Sequence, residues 1–146
     1  MKAAILWEKD KPLEVRNDVS LTELGASDVL VSVKSSGVCH SDVSVQNGTI
    51  PSGLPCVLGH EAAGVVDAVG AGVRSVARGD KVMLSALGSC GRCYFCARQQ
   101  PTLCAEARNF MTGLMADGSS PLSRRGKLVY RGFAVGGFGE ATVVSE

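Results

Sequence analysis

Gly59-His60-Glu61-Ala-Ala-Gly64-Val-Val-Asp-Ala-Val69-Gly70-Ala-Gly72-Val73 reads as a β-strand closed by a tight turn. Between Ala62 and Val69 the side chains are small or β-branched with a single acid, and Gly70 and Gly72 supply the turn that stops the run. Outward on the N-terminal side, Asp28-Val-Leu-Val-Ser-Val-Lys34 places Val29, Val31 and Val33 on one face of a second strand, a face that belongs to a core. Ala3 to Leu6 and Leu13 to Arg16 flank the turn at Asp10-Lys-Pro12. On the C-terminal side, Lys81-Val-Met-Leu84 follows the turn at Arg78-Gly79-Asp80, and Glu140-Ala-Thr-Val-Val144 is a last strand. Helical signal is confined to one segment just after Cys39 and a turn further along. Short strands between turn signals predict a mainly β fold, a small β-barrel rather than a helix-rich or doubly wound domain. The least regular stretch, about 112–137, carries Asp117-Gly-Ser-Ser-Pro121, Arg124-Arg-Gly126 and Gly136-Gly137 and is expected to be a long loop.

The strongest chemical signal is Cys90-Gly-Arg-Cys93-Tyr-Phe-Cys96, answered by Cys104. Four thiolates at this spacing can surround one tetrahedral Zn²⁺ at about 2.3 Å, a closed site with no position for a substrate and therefore structural. Gly91 tightens the first turn, and Arg92, Arg98 and Arg108 are placed to offset the negative charge that four thiolates leave on the ion. Two disulfides are the other reading. Cysteines so close in sequence would form strained bridges, and zinc is preferred. The lobe is expected over about 88–108.

Composition narrows the rest. At 146 residues the chain is one domain's length, here 1–146, and needs no dense disulfide framework. A net charge of +1 and 5% aromatics argue against a nucleic-acid surface, which wants clustered Lys/Arg and stacking rings. The opening apolar run, Ala3 to Trp7, is too short for a signal-peptide core, and no run approaches the roughly 18 residues of a membrane span. A cytoplasmic location is expected, where six cysteines suggest metal or thiol chemistry before disulfides. The partner is expected to be a small molecule.

A second cluster joins Gly37-Val-Cys39-His40-Ser41-Asp42 to Gly59-His60-Glu61. Cys39 and His60 are suitable Zn²⁺ ligands that would leave positions open for catalysis. Asp42 can accept the free N–H of His60 and fix its tautomer, and Ser41 can set a hydroxyl beside the open position. One cysteine and one histidine some twenty residues apart also occur by chance in many chains, so spacing alone leaves both readings standing.

Gly59 through Val73, then Gly79-Asp80-Lys-Val82, resembles the zinc signature of the medium-chain alcohol dehydrogenases. Gly37 to Asp42 and the four-cysteine lobe are similar to the same family, in the same order. Asp117 through Glu140-Ala-Thr-Val-Val144 resembles its longer-loop branch, which includes class I and class III enzymes. The resemblance implies a GroES-like, partly open β-barrel with short helices and a four-cysteine zinc lobe. It implies Cys39 and His60 as catalytic-zinc ligands, Glu61 as a carboxylate able to approach the metal, and Asp42 as the partner of His60. Ser41 matches the hydroxyl that takes the alcohol's proton, and His40 a position that reaches the cofactor pyrophosphate. Cys90, Cys93, Cys96 and Cys104 match the structural zinc. The implied reaction is oxidation of an alcohol by hydride transfer to NAD(P) in a complete, homo-oligomeric enzyme.

The chain departs from the family pattern in three ways. The third catalytic ligand, a cysteine beyond the β-rich domain, has no counterpart before Glu146. No Gly-x-Gly-x-x-Gly stands between a strand and a helix, so the nucleotide-binding Rossmann domain is expected to be absent and the chain inactive alone. Ser44 stands where some members carry a relay histidine. Cys56 is unassigned and reads as a packing residue. Ala86, where some relatives narrow the pocket with an aromatic, hints at a roomy alcohol site. Two alternatives remain: a glutathione- or mycothiol-dependent formaldehyde dehydrogenase, and a non-catalytic zinc-binding GroES-like module.

Overall fold

Strand β4 (Asp28–Gly37) lies antiparallel to β6 (Glu61–Val69), and this pair is the spine of the molecule. The computed structural model describes the backbone of residues 1–146 and all side chains save those of Arg108, Asn109 and Phe110. With β10 (Ala141–Ser145) on one side and β7 (Lys81–Met83) on the other, the spine forms a four-stranded sheet of order β10-β4-β6-β7. Val29, Val31 and Val66 fill its buried face together with Val73. The expected alternation therefore holds at Val29 and Val31. It fades at Val33, next to a register shift between Val33 and Ser35.

A second sheet has six strands in the order β2-β1-β5-β9-β8-β3. Its members are β1 (Ala3–Leu6), β2 (Glu14–Arg16), β3 (Val19–Leu21), β5 (Cys56–Val57), β8 (Leu122–Arg124) and β9 (Lys127–Arg131). Neighbouring residues of β1 and β5 point to opposite faces, and both faces are covered. Ile5 and Val57 join Ala3, Val19, Leu122 and Val129 in one apolar cluster, while Leu6 and Cys56 join Val45, Leu58 and Phe133 in another. Full burial of such side chains is worth about 1.5–3 kcal/mol each, which explains why strands as short as β5 persist. The two curled sheets make the mainly β, half-barrel architecture expected of the sequence.

Four strands were not evident in the sequence. Strands β3 and β5 are too short for alternation to show. Strands β8 and β9 fall inside the stretch expected to be a long loop, and here the expectation is corrected. Arg124 pairs with Lys127, leaving Arg125-Gly126 as a two-residue hairpin turn. Both turn residues have positive φ, 51° and 75°, as a type I′ turn requires. Asp18 then accepts hydrogen bonds from Arg124 Nε (2.6 Å) and Arg125 Nε (3.2 Å), tying the hairpin to β3.

Helix α1 (His40–Gln46) is the segment expected after Cys39. The cysteine-rich lobe holds three short 3-10 turns, Cys96–Arg98, Pro101–Leu103 and Ala105–Arg108, followed by α2 (Asn109–Thr112). No helix of the described residues is long and apolar enough to cross a membrane.

Candidate metal centres

The register of the spine assembles the first centre. Gly37 pairs with Glu61, so the chain leaving β4 and the chain entering β6 emerge at the same edge of the sheet. Cys39 lies two residues beyond one partner and His60 one before the other. A Cβ on Gly37 would stand 2.4 Å from Glu61 Oε2, so glycine there keeps room for the carboxylate. Ligand atoms of Cys39, His60 and Glu61 all lie within 4.8 Å of one another. The thiolate, imidazole and carboxylate they offer suit Zn²⁺.

Asp42 organises this end of the molecule. Its side chain is 4% exposed. Oδ2 accepts the N–H of Cys39 at 3.1 Å, the reciprocal half of a capping box that starts α1. Oδ1 accepts the N–H of Gly59 at 3.1 Å and faces His60 Nδ1 at 3.4 Å. One carboxylate thus holds the helix start, the turn before His60 and the ring itself. Gly59 has φ +87° and a Cβ there would meet Phe138 at 2.5 Å, so the turn that aims His60 excludes any side chain.

With Nδ1 turned to Asp42, His60 presents Nε2 toward Ser41 Oγ at 3.3 Å, and the same hydroxyl reaches Cys39 Sγ at 3.1 Å. Ser41 therefore stands between the two donors. His40 opens α1 beside them and is exposed. Ser44, four residues along α1 from His40, accepts the N–H of Ile50 on its backbone carbonyl.

Sequence reasoning missed Phe133. Its ring meets that of His60 edge-on, centroids 4.6 Å apart. The signal lies in the parallel pairing of β5 and β9, Val57 against Arg131, which carries both chains out of the sheet at one end. Phe133 and Ala134 follow β9 with φ of 52° and 59°, a left-handed pair that no composition rule marks.

The second centre is the lobe. Sulfur atoms of Cys90, Cys93, Cys96 and Cys104 lie within 4.8 Å of one another, with Cys93 and Cys104 at 4.0 Å. A tetrahedron with arms of about 2.3 Å has edges of roughly 3.8 Å, so the four thiols fit one Zn²⁺. None of the six cysteines is bridged. Backbone N–H groups converge on the sulfurs: Cys90 N and Glu106 N donate to Cys104, and Cys93 N donates to Cys90. The amides of Cys96 and Ala105 bring the Cys93 thiol down to about 6, and those of Cys90 and Glu106 lower Cys104. Desolvation and hydrogen bonds shared with the other sulfurs push Cys96 up to about 11. Gly91 turns the chain at φ +69°. Arg98 lies over the Tyr94 ring at 3.8 Å rather than on a sulfur, and the side chain of Arg108 is outside the described residues.

Cys56 is fully buried among Leu6, Val45, Leu58 and Phe133, and burial raises its thiol to about 12. Such a group packs as an apolar side chain.

Residues 25–146 match the family described as the alcohol dehydrogenase GroES-like domain. A class-3 alcohol dehydrogenase of Pisum sativum is 40% identical over 99% of this chain and 39% of its own length. Among solved structures, an alcohol dehydrogenase zinc-binding domain protein from Burkholderia ambifaria superposes with a TM-score of 0.92 at 34% identity, over 99% of this chain and 40% of that one. A benzyl alcohol dehydrogenase from Acinetobacter calcoaceticus gives 0.87 at 31% identity, over 99% and 38%. The chain thus spans about two fifths of the length of the relatives it matches.

Proposed function

This chain belongs to the alcohol dehydrogenase GroES-like domain family, and from that premise we propose that it is the zinc- and substrate-binding domain of a zinc-dependent alcohol dehydrogenase. The observation that carries the reading is the meeting of Cys39, His60 and Glu61 around Ser41 at one edge of the spine, beside a separate four-cysteine centre. Cys39 and His60 would hold a catalytic Zn²⁺ with Glu61 in reach, and Cys90, Cys93, Cys96 and Cys104 a structural one. Bound there, the metal supplies Lewis-acid polarisation of an alcohol oxygen. Ser41 would accept the alcohol's proton while passing its own on toward solvent, Asp42 would fix the ring of His60, and His40 would contact the pyrophosphate of NAD(P), which would take the hydride. The dinucleotide is held by a nucleotide-binding domain outside these residues.

A narrower reading is carried more directly for the 146 residues by themselves, that of a zinc-binding GroES-like module without turnover. Two donor clusters are present as geometry, whereas hydride transfer enters by likeness alone. Within the enzyme reading, similarity to a class-3 relative keeps the thiol-adduct dehydrogenase in view beside one for simple alcohols.

One experiment separates these. The chain replaces the matching segment of the Pisum sativum relative, and the chimera is assayed with NAD⁺ on simple alcohols and on hydroxymethyl-thiol adducts. The enzyme reading expects turnover that disappears in Cys39→Ser and His60→Ala and falls about 10²–10⁴-fold in Ser41→Ala. A well-folded, zinc-loaded chimera with no turnover on either class leaves the module. Preference between the two substrate classes assigns the subtype.

A further inference from the structure

Behind the zinc lobe lies a cavity of about 410 Å³, walled by Ala86, Leu114, Met115, Ala134 and Val144 on its apolar side. Arg131, the last residue of β9, lines it and is 2% exposed. Its Nη1 donates to the carbonyls of Ala134 (2.7 Å) and Val143 (2.8 Å). Nε is sealed from solvent and has no acceptor, and among the described residues the side-chain hydrogen bonds of Arg131 are those made by Nη1. No carboxylate of the described residues forms an ion pair with it. Glu106, Glu146 and Arg92 line the same cavity, and Glu146 accepts the N–H groups of Arg74 and Ser75 on Oε1. Asp28 acts on Arg131 only through space, and desolvation brings the guanidinium down to about 10.

An arginine in this state is a buried charge without a counterion, which folded proteins ordinarily pair. Its unused donors, Nε and the neighbouring Nη2, form the side-on fork that matches the two oxygens of a carboxylate. The lining is mixed, with Ser85, Ser89 and Ser145 beside the apolar residues, and its apolar side favours a ligand with a hydrophobic body.

We propose that the cavity between the zinc lobe and β10 binds a small apolar monocarboxylate, its carboxylate on the free edge of Arg131 and its body against Leu114, Met115 and Val144. Cys39, Ser41, His60 and Glu61 are not among the cavity's lining residues. Ala86, which lines the cavity, also packs into the cluster of Phe133, the residue that touches His60.

The test uses the zinc-loaded 146-residue chain and follows the Nε–H resonance of Arg131, assigned by its loss in Arg131→Lys. Benzoate should move it saturably. Benzamide, the same shape without the charge, should bind about tenfold more weakly or worse, and so should acetate, which lacks the apolar body, and inorganic phosphate, which lacks the planar fork. Arg131→Met should abolish benzoate binding. Should that variant fail to fold, Leu114→Trp decides the matter by filling the cavity from another of its lining residues with Arg131 intact, and it should abolish binding too. No saturable shift with benzoate, an equal response to benzamide, acetate or phosphate, or undiminished benzoate binding in Leu114→Trp would overturn the assignment.

Discussion

Asp42 shows how much one buried side chain decides. It caps α1, pins the turn at Gly59 and faces His60. Asp42→Asn keeps an acceptor oxygen but loses the charge that holds the ring, and zinc affinity at Cys39 and His60 should fall about 10–100-fold, read by competition with a chromophoric chelator. Asp42→Ala leaves the buried N–H of Gly59 unpaired and should cost roughly 1–3 kcal/mol of stability in a denaturant titration. Wild-type zinc affinity in both variants would dissociate Asp42 from the centre. Cys56 lies at the opposite extreme. With its thiol fully buried and raised to about 12, it should resist iodoacetamide at neutral pH in the native chain while Cys39, which is partly exposed, reacts after metal removal. Peptide mass mapping checks this, and rapid labelling of Cys56 would show that its pocket opens.

The β8–β9 hairpin makes the argument at the scale of an element. Its turn residues carry the left-handed backbone, and Asp18 clamps it to β3 through two arginines. Arg124 and then Arg125 hold the Asp18 carboxyl below its ordinary value of 3.8. A depressed carboxylate pKa stabilises the fold above the unfolded-state value, and the contribution is lost as pH falls through the folded value. Asp18→Asn should therefore lower the melting temperature slightly at neutral pH, and the gap should close below the ordinary carboxylate range. Because the pair is exposed, added salt should narrow the gap as well. A difference that persisted unchanged at low pH would mean that the clamp acts through shape and not charge.

Considered whole, the molecule has two parts held by different forces. The sheets close over three apolar clusters that contain no lobe residue among their buried members. The lobe is held by 3-10 turns and four sulfurs, and binding free energy of a structural zinc is folding free energy. Chelation, or Cys104→Ser, should remove amide-exchange protection across the lobe while β4 and β6 keep theirs. Exchange mass spectrometry after metal removal reads this directly. Simultaneous loss in both parts would show that the lobe and the sheets fold as one cooperative unit.

Spacing and periodicity alone determined the mainly β architecture, the principal strands and the four-cysteine centre. These are local properties: alternation along β4 and β6, glycines at the turns, and thiols with two residues between them reveal themselves within a few residues of chain. Cys39 and His60 were legible as residue types, yet their meeting depends on the Gly37–Glu61 register, which belongs to two strands and not to either one. Phe133 against His60 depends on a parallel pairing of β5 and β9, some seventy residues apart. Arg131 was invisible for the same reason, since burial of a charge is set by what packs around it. Turn residues at Arg125 and Gly126 looked like loop because they break alternation, and only the pairing of Arg124 with Lys127 made them a hairpin. Local patterns select elements, and contacts between distant elements decide which side chains share a site.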